Sequence, residues 1–154
     1  MMHFHFDETK VLVYARRGLE LLVFEEPDYP EVLTQVPGGS VEPGESPRSA
    51  AHREFAEETG FEITAPIEEL GIQGYRYRVD DRVIHHERHC FAFEAPSDLP
   101  DEWTHLEGQP SQGEPVLFRL FWISIEEAKT RLGYGMAETL SAPFFSSRPS
   151  RLEP

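Results

Sequence analysis

Residues 46 to 60, SPRSAAHREFAEETG, can adopt little other than one bounded helix. Ser46 carries the side-chain oxygen of an N-cap, Pro47 suits the first helical position, and Gly60 supplies the left-handed residue that ends a helix. The spacing predicts a helix over 47–59. At about 100° per residue, Glu54, Glu57 and Glu58 share one face. Ala50 and Ala51 lie one turn earlier on that side and let a backbone or ligand come close; Phe55 begins the apolar flank. Arg53 stands one turn before Glu57 and braces it, in the weaker of the two i,i+4 orientations.

Clustered glutamates usually mean a solvated face. Here the face is like-charged rather than alternating, and so destabilising unless something neutralises it. The preceding VPGGSVEPGES is rich in glycine and can turn sharply to offer carbonyls and amides. Carboxylates with a backbone carbonyl form a hard oxygen site, suited to Mg²⁺ or Mn²⁺ bridging to substrate phosphates.

The rest of the chain bounds the partners. Its 154 residues suit one domain with a full core. The net charge of −14 opposes stable binding to nucleic acid or to an anionic membrane. No apolar run has the length of a membrane span, and MMHFHFDETK lacks the pattern of a secretory signal. The single cysteine, Cys90 in HCFAF, reads as a buried strand residue, and a reducing cytoplasm is the expected location.

KVLVYA and LELLVFEE read as a hairpin about RRG, and VLTQV (32–36) as a short strand. FEITA (61–65) is strand-like, and GIQGYRYRV with RVIHHERHCFAFE forms a long hairpin about Asp80-Asp81. Residues 95–115 read as a long irregular loop, VLFRLFWISI as the last strand, and Ser124 to Glu127 as a capping box opening a helix that Gly133 ends. Strands with inserted helices and no regular βαβ alternation predict a mixed sheet packed by helices. Residues 1–142 form the predicted domain; 143–154 are expected to be a flexible tail, with Phe144 and Phe145 able to dock it.

Gly39, Glu45, Arg53, Glu54, Phe55, Glu57, Glu58, Gly60 and Phe61 stand at the fixed spacings of the Nudix box, and the chain resembles the Nudix hydrolase family over residues 39–61. The resemblance implies an α/β/α sandwich that cleaves a nucleoside diphosphate linked to another moiety, with a small phosphorylated nucleotide as substrate. It implies that Glu57 and Glu58 ligate the metal, that Glu54 is a ligand or the base, that the Gly39 carbonyl completes the shell, and that Arg53 and Glu45 hold loop and helix in register. A homodimer is expected by family habit alone. Without metal, the crowded carboxylates should titrate as a coupled set with raised pKa values.

Outside the box, Glu114 and Glu107 are candidates for a further metal ligand or base, against the ordinary reading of solvated loop charges. His85 and His89 point to one face of their strand and His86 to the other; each could contact phosphate or be a plain strand histidine. Tyr77, with Tyr75, stands where some dinucleoside-polyphosphate hydrolases of the family carry a stacking tyrosine, and both also suit ordinary strand positions. Trp103 either stacks on a base or ribose or pins its loop to the core. The family signatures of NADH, ADP-ribose and RNA-processing members are absent. The favoured function is a metal-dependent pyrophosphohydrolase of dinucleoside polyphosphates or (d)NTPs; nucleotide-sugar or ADP-ribose hydrolysis and a non-catalytic nucleotide sensor are the alternatives.

Overall fold

The computed structural model describes residues 7–108 and 113–146. Strands β1 (Glu8–Arg17) and β2 (Glu20–Glu25) turn about Gly18, whose φ of 64° suits glycine. β3 (Gly38–Ser40) precedes helix α1 (Pro47–Thr59), and β4 (Glu68–Val79) and β5 (Arg82–Glu94) make the long hairpin, with Asp80 at φ 54°. β6 (Glu102–Glu107), β7 (Val116–Ser124), α2 (Ile125–Arg131), a 3-10 turn (Met136–Ser141) and α3 (Pro143–Ser146) follow.

The seven-stranded sheet runs β4-β5-β1-β2-β7-β6, with β3 on β1. β1 and β5 are parallel and the other pairs antiparallel, so the sheet is mixed as expected. Strand alternation divides the core in two. Val11, Val13, Leu22, Phe91 and Phe93 face α1 and pack on Ala50, Ala51 and Phe55. Leu12, Tyr14, Leu21, Cys90 and Ala92 face the other way, onto Ile125, Ala128, Met136, Leu140 and Phe145. Phe55 is 1% exposed and meets Phe93 edge to face at 5.2 Å, so truncating it to Ala would cost about 3–5 kcal/mol. Three layers result, helix on sheet on helix.

β1 and β2 pair only near their turn, at Arg16–Leu21 and Arg17–Glu20. Farther out they separate, and residues 35–40 enter between them. Gln35 bridges Phe24, and β3 pairs with Lys10 to Leu12.

Several segments differ from expectation. VLTQV contributes one bridge rather than a strand, because Val36 turns into the core beside Met136. The pairing strand is instead Gly38–Ser40: a Cβ on Gly38 would collide with the Val11 carbonyl, so glycine there allows strand contact as well as a turn. FEITA does not pair; Ile63 is drawn under the α1 layer as a core plug. The supposed loop at 95–115 contains β6. Helix α2 keeps the Ser124 cap, which accepts from Glu127 N at 3.0 Å. It ends at Leu132 with an extended residue, not at Gly133, whose place is against the Leu33 side chain. The chain after 142 does not fray at once: Phe145 is buried against Tyr14 at 5.6 Å. The remainder of the expected tail, 147–154, lies outside the described residues.

Candidate active site

Helix α1 begins and ends as its sequence requires. Ser46 Oγ accepts from Ser49 N at 3.1 Å, and Gly60, at φ 83°, donates to the Ala56 carbonyl. Arg53 then ties the helix to the loop before it. Its Nε and Nη2 donate to both Glu45 oxygens at 2.8 and 2.9 Å, and Nη2 also donates to the Ser40 carbonyl. Nη1 reaches Glu57 at 3.1 Å and lies 3.4 Å from Glu54. The Arg53 hydrogen bonds hold the Glu45 carboxyl down at about 2.

The loop approaches the helix through glycine. Gly38 N donates to Glu58 Oε1 at 2.8 Å, and a Cβ on Gly39 would fall inside the Glu54 carboxylate. Burial pushes Glu54 up to about 7, Arg53 opposes that shift, and the Glu57 and Glu107 charges add to it. Burial also lifts Glu58 well above the carboxylate range; the Gly38 bond offsets this in part, while Glu54, Glu107 and Glu57 raise it further. These are carboxylates short of positive charge.

The donor set, hard oxygens from Glu54, Glu57, Glu58 and the Gly39 carbonyl, fits Mg²⁺ or Mn²⁺. Among the described residues, however, no three acidic, histidine or cysteine side chains converge on one ion position. Glu58 is engaged by Gly38 and Glu57 by Arg53. The sequence places the three on one helix face; closing a coordination sphere needs their side chains to turn.

Strand β6 supplies what the loop reading missed. Its alternation turns Trp103, His105 and Glu107 toward α1. Trp103 Nε1 donates to the Thr59 carbonyl at 2.8 Å, its ring meets Phe61 edge to face, and His105 Nε2 bonds the Glu57 carbonyl at 2.9 Å. Two carbonyls of the last helical turn are thereby satisfied. Trp103 is thus a pin for the helix end rather than an aromatic in an open loop. Glu107 completes the row; burial and then the Glu57 charge raise its pKa. Glu114 is exposed on the turn before β7, with no partner among the described residues. Of the two outside candidates, Glu107 is the one whose charge reaches the α1 cluster.

A recess of about 190 Å³ opens where β1 and β2 separate, with Gly38, Gly39 and Glu58 at one end and Lys10, His86 and Arg88 along its wall. A second, of about 340 Å³, shares Gln35, His86, Arg88 and Met136 with it and adds Tyr75, Tyr77 and Tyr134. Tyr77 meets His86 edge to face at 5.2 Å. His89 turns away to Glu87, and His85 lies on that same outer face. Lys10, Gln35, Arg88 and Tyr134 escaped the sequence reading; only the alternation of β1 and β5 could have placed the first and third beside His86. Among the described residues no helix is long and apolar enough to cross a membrane.

The NUDIX domain family model matches residues 5–142. Solved structures share the fold. A NUDIX hydrolase from Nitrosomonas europaea is 23% identical, with a TM-score of 0.64 over 92% of this chain and 90% of that one. An Ap4A hydrolase from C. elegans is 21% identical, with a TM-score of 0.55 over 87% and 93%. The NUDIX domain of Shewanella oneidensis NrtR, complexed with ADP ribose, is 17% identical, with a TM-score of 0.60 over 90% and 88%.

Proposed function

We propose, from the premise that this chain belongs to the Nudix family and is a hydrolase of phosphoric anhydride bonds, that it is a metal-dependent pyrophosphohydrolase of a small nucleotide, a dinucleoside polyphosphate or a (d)NTP. The observation that carries the reading is the buried pair Glu54 and Glu58, lifted by burial and set directly over Gly39 and Gly38, with Glu57 beside them on the same helix face. A cation satisfies that cluster, and a phosphate chain satisfies the cation.

Glu57, Glu58 and the Gly39 carbonyl would hold Mg²⁺ or Mn²⁺, with Glu54 as a further ligand or the base. The bound ion would polarise phosphoryl oxygens and lower the pKa of water. Glu54, set against Gly39 beside the other carboxylates, would take the proton from the attacking water where it is not itself a ligand. Arg53 keeps Glu45, the Ser40 carbonyl and Glu57 in register, so the loop and helix move as one unit. The base of the nucleotide lies in the recess of Tyr75, Tyr77 and Tyr134, where Tyr77 offers a stacking face. The reaction belongs in a reducing cytoplasm, in keeping with the one buried thiol, Cys90.

The test is release of product from nucleoside triphosphates, dinucleoside polyphosphates, nucleotide sugars and ADP-ribose with Mg²⁺ or Mn²⁺, beside a Glu57→Gln, Glu58→Gln double variant. Turnover of the first two classes, lost in the variant and in chelator, is the expected result. Turnover of ADP-ribose or nucleotide sugars instead reassigns the substrate. A nucleotide that raises Tm while nothing turns over replaces the hydrolase with a sensor.

A further inference from the structure

Arg88 is 5% exposed, yet among the described residues no carboxylate stands within ion-pair distance of it. Arg16, Arg17, Arg53, Arg119 and Arg131 each hold one. The Arg88 guanidinium lies 3.8 Å from the centre of the Tyr75 ring, and Nη1 donates to the Tyr134 carbonyl at 2.6 Å and more weakly to Gln73 Oε1 at 3.4 Å. Its Nε and Nη2 have no hydrogen-bond partner among the described residues. A buried cation without its counter-charge is strongly destabilising.

Two residues along β5, on the same face, His86 is 8% exposed. Its Nε2 is the one buried side-chain nitrogen or oxygen among the described residues with no hydrogen bond. The nearest carboxylate, Glu8, is 3.7 Å away, beyond hydrogen-bond reach. Lys10, the cross-strand partner of Arg88, adds a third basic group, its Nζ donating to Ser40 Oγ at 2.9 Å. All three line the recess that ends at Gly38, Gly39 and Glu58. In a chain of net charge −14, Arg88 and His86 are two buried basic groups on one recess wall, while Lys10 is half-buried and lies 3.5 Å from Glu8.

We propose that His86 and Arg88 form an anion subsite that binds a phosphate group of the ligand between the α1 carboxylates and the tyrosine recess. Nε and Nη2 of Arg88 donate to two phosphate oxygens, and His86 Nε2, when it carries the proton, donates to a third. The subsite is made of side-chain donors and needs no metal, which sets it apart from the carboxylate end. Only the identity of the phosphate-bearing ligand rests on the hydrolase reading; the anion site itself does not.

Inorganic pyrophosphate in excess chelator tests this on the intact chain. The His86 imidazole signals, followed by ¹H–¹³C NMR, should shift saturably while those of His89 and His105 stay in place. Calorimetry should show binding weakened roughly tenfold or more in Arg88→Gln, which keeps a donor for the Tyr134 carbonyl, and several-fold in His86→Ala, with unchanged circular dichroism. Unmoved His86 signals at millimolar pyrophosphate overturn the subsite, as does equal affinity in wild type and Arg88→Gln. Should pyrophosphate bind as expected while no nucleotide turns over with Mg²⁺, the subsite stands and the hydrolase reading falls. Should turnover proceed with KM unchanged in both variants, the subsite alone falls.

Discussion

Replacing Glu54 by Gln should abolish activity and yet stabilise the metal-free protein. In the folded chain the Glu54 carboxyl is pushed from 4.5 up to about 7, first by burial and then by Glu57 and Glu107. Moving a carboxyl that far corresponds to roughly 3.4 kcal/mol between its protonated and ionised forms. Relaxation of side chains and water around the ionised group removes about half of that, leaving on the order of 1.5 kcal/mol. The folded state keeps its proton to about pH 7 and the unfolded chain loses its own near 4.5. Wild-type stability therefore falls as pH rises from 4.5 through 7, while the neutral glutamine is indifferent. In chelator, the Gln variant should match wild type near pH 4.5 and exceed it by roughly 3–6 °C in Tm at pH 8. With Mg²⁺ the order should reverse, because wild type gains ligand-binding stabilisation that the variant gains less of. Urea denaturation across pH in chelator and in Mg²⁺ measures both. A variant less stable than wild type at pH 8 in chelator would refute the claim that this carboxylate is short of positive charge.

Other outcomes follow from the same geometry. Gly39→Ala forces a Cβ into the Glu54 carboxylate, the far end of a flexible side chain, and should lower kcat/KM by at least about 100-fold while costing less than about 1 kcal/mol of stability by denaturation, since the carboxylate turns aside. Trp103→Phe removes the Thr59 bond and should cost about 1 kcal/mol of stability while changing KM little; a large rise in KM with intact stability would restore Trp103 as a substrate stack. Glu45 contributes stability through Arg53 that is present above pH 4.5 and lost as pH falls through about 2, so Glu45→Gln should be less stable than wild type at pH 6, with the gap closing toward pH 2 in an acid denaturation series.

Much of the site was legible because it is local. One helix carries its own cap, its own stop and three carboxylates at fixed angular spacing, and no distant contact is needed to place them. The hairpins were legible for the same reason. Residues 95–115 were not, since β6 is short and its alternation, Trp103, His105, Glu107 against Glu102, Thr104, Leu106, gains meaning only once α1 lies across one face. Gly38 was read as a turn residue because nothing in VPGG says that the next neighbour is the Val11 carbonyl. Arg88 and His86 are separated by 46 residues or more from the Gly38–Gly39 loop and meet it only because β5 runs parallel to β1. Cross-strand register of that kind is invisible to a reading along the chain.

The separation of β1 from β2 makes the sheet a fork, closed at the Gly18 turn and held open at the tines by the Gln35–Ser40 wedge. The mouth of the recess is therefore gauged by the thickness of that wedge, and the two glycines at 38 and 39 set the gauge at its minimum. Bulk at 38 would press on the Val11 carbonyl and spread the tines, whereas bulk at 39 would press on the Glu54 carboxylate. Aperture and chemistry therefore meet in neighbouring residues of one wedge: the first is gauged against β1 at Gly38, the second against α1 at Gly39.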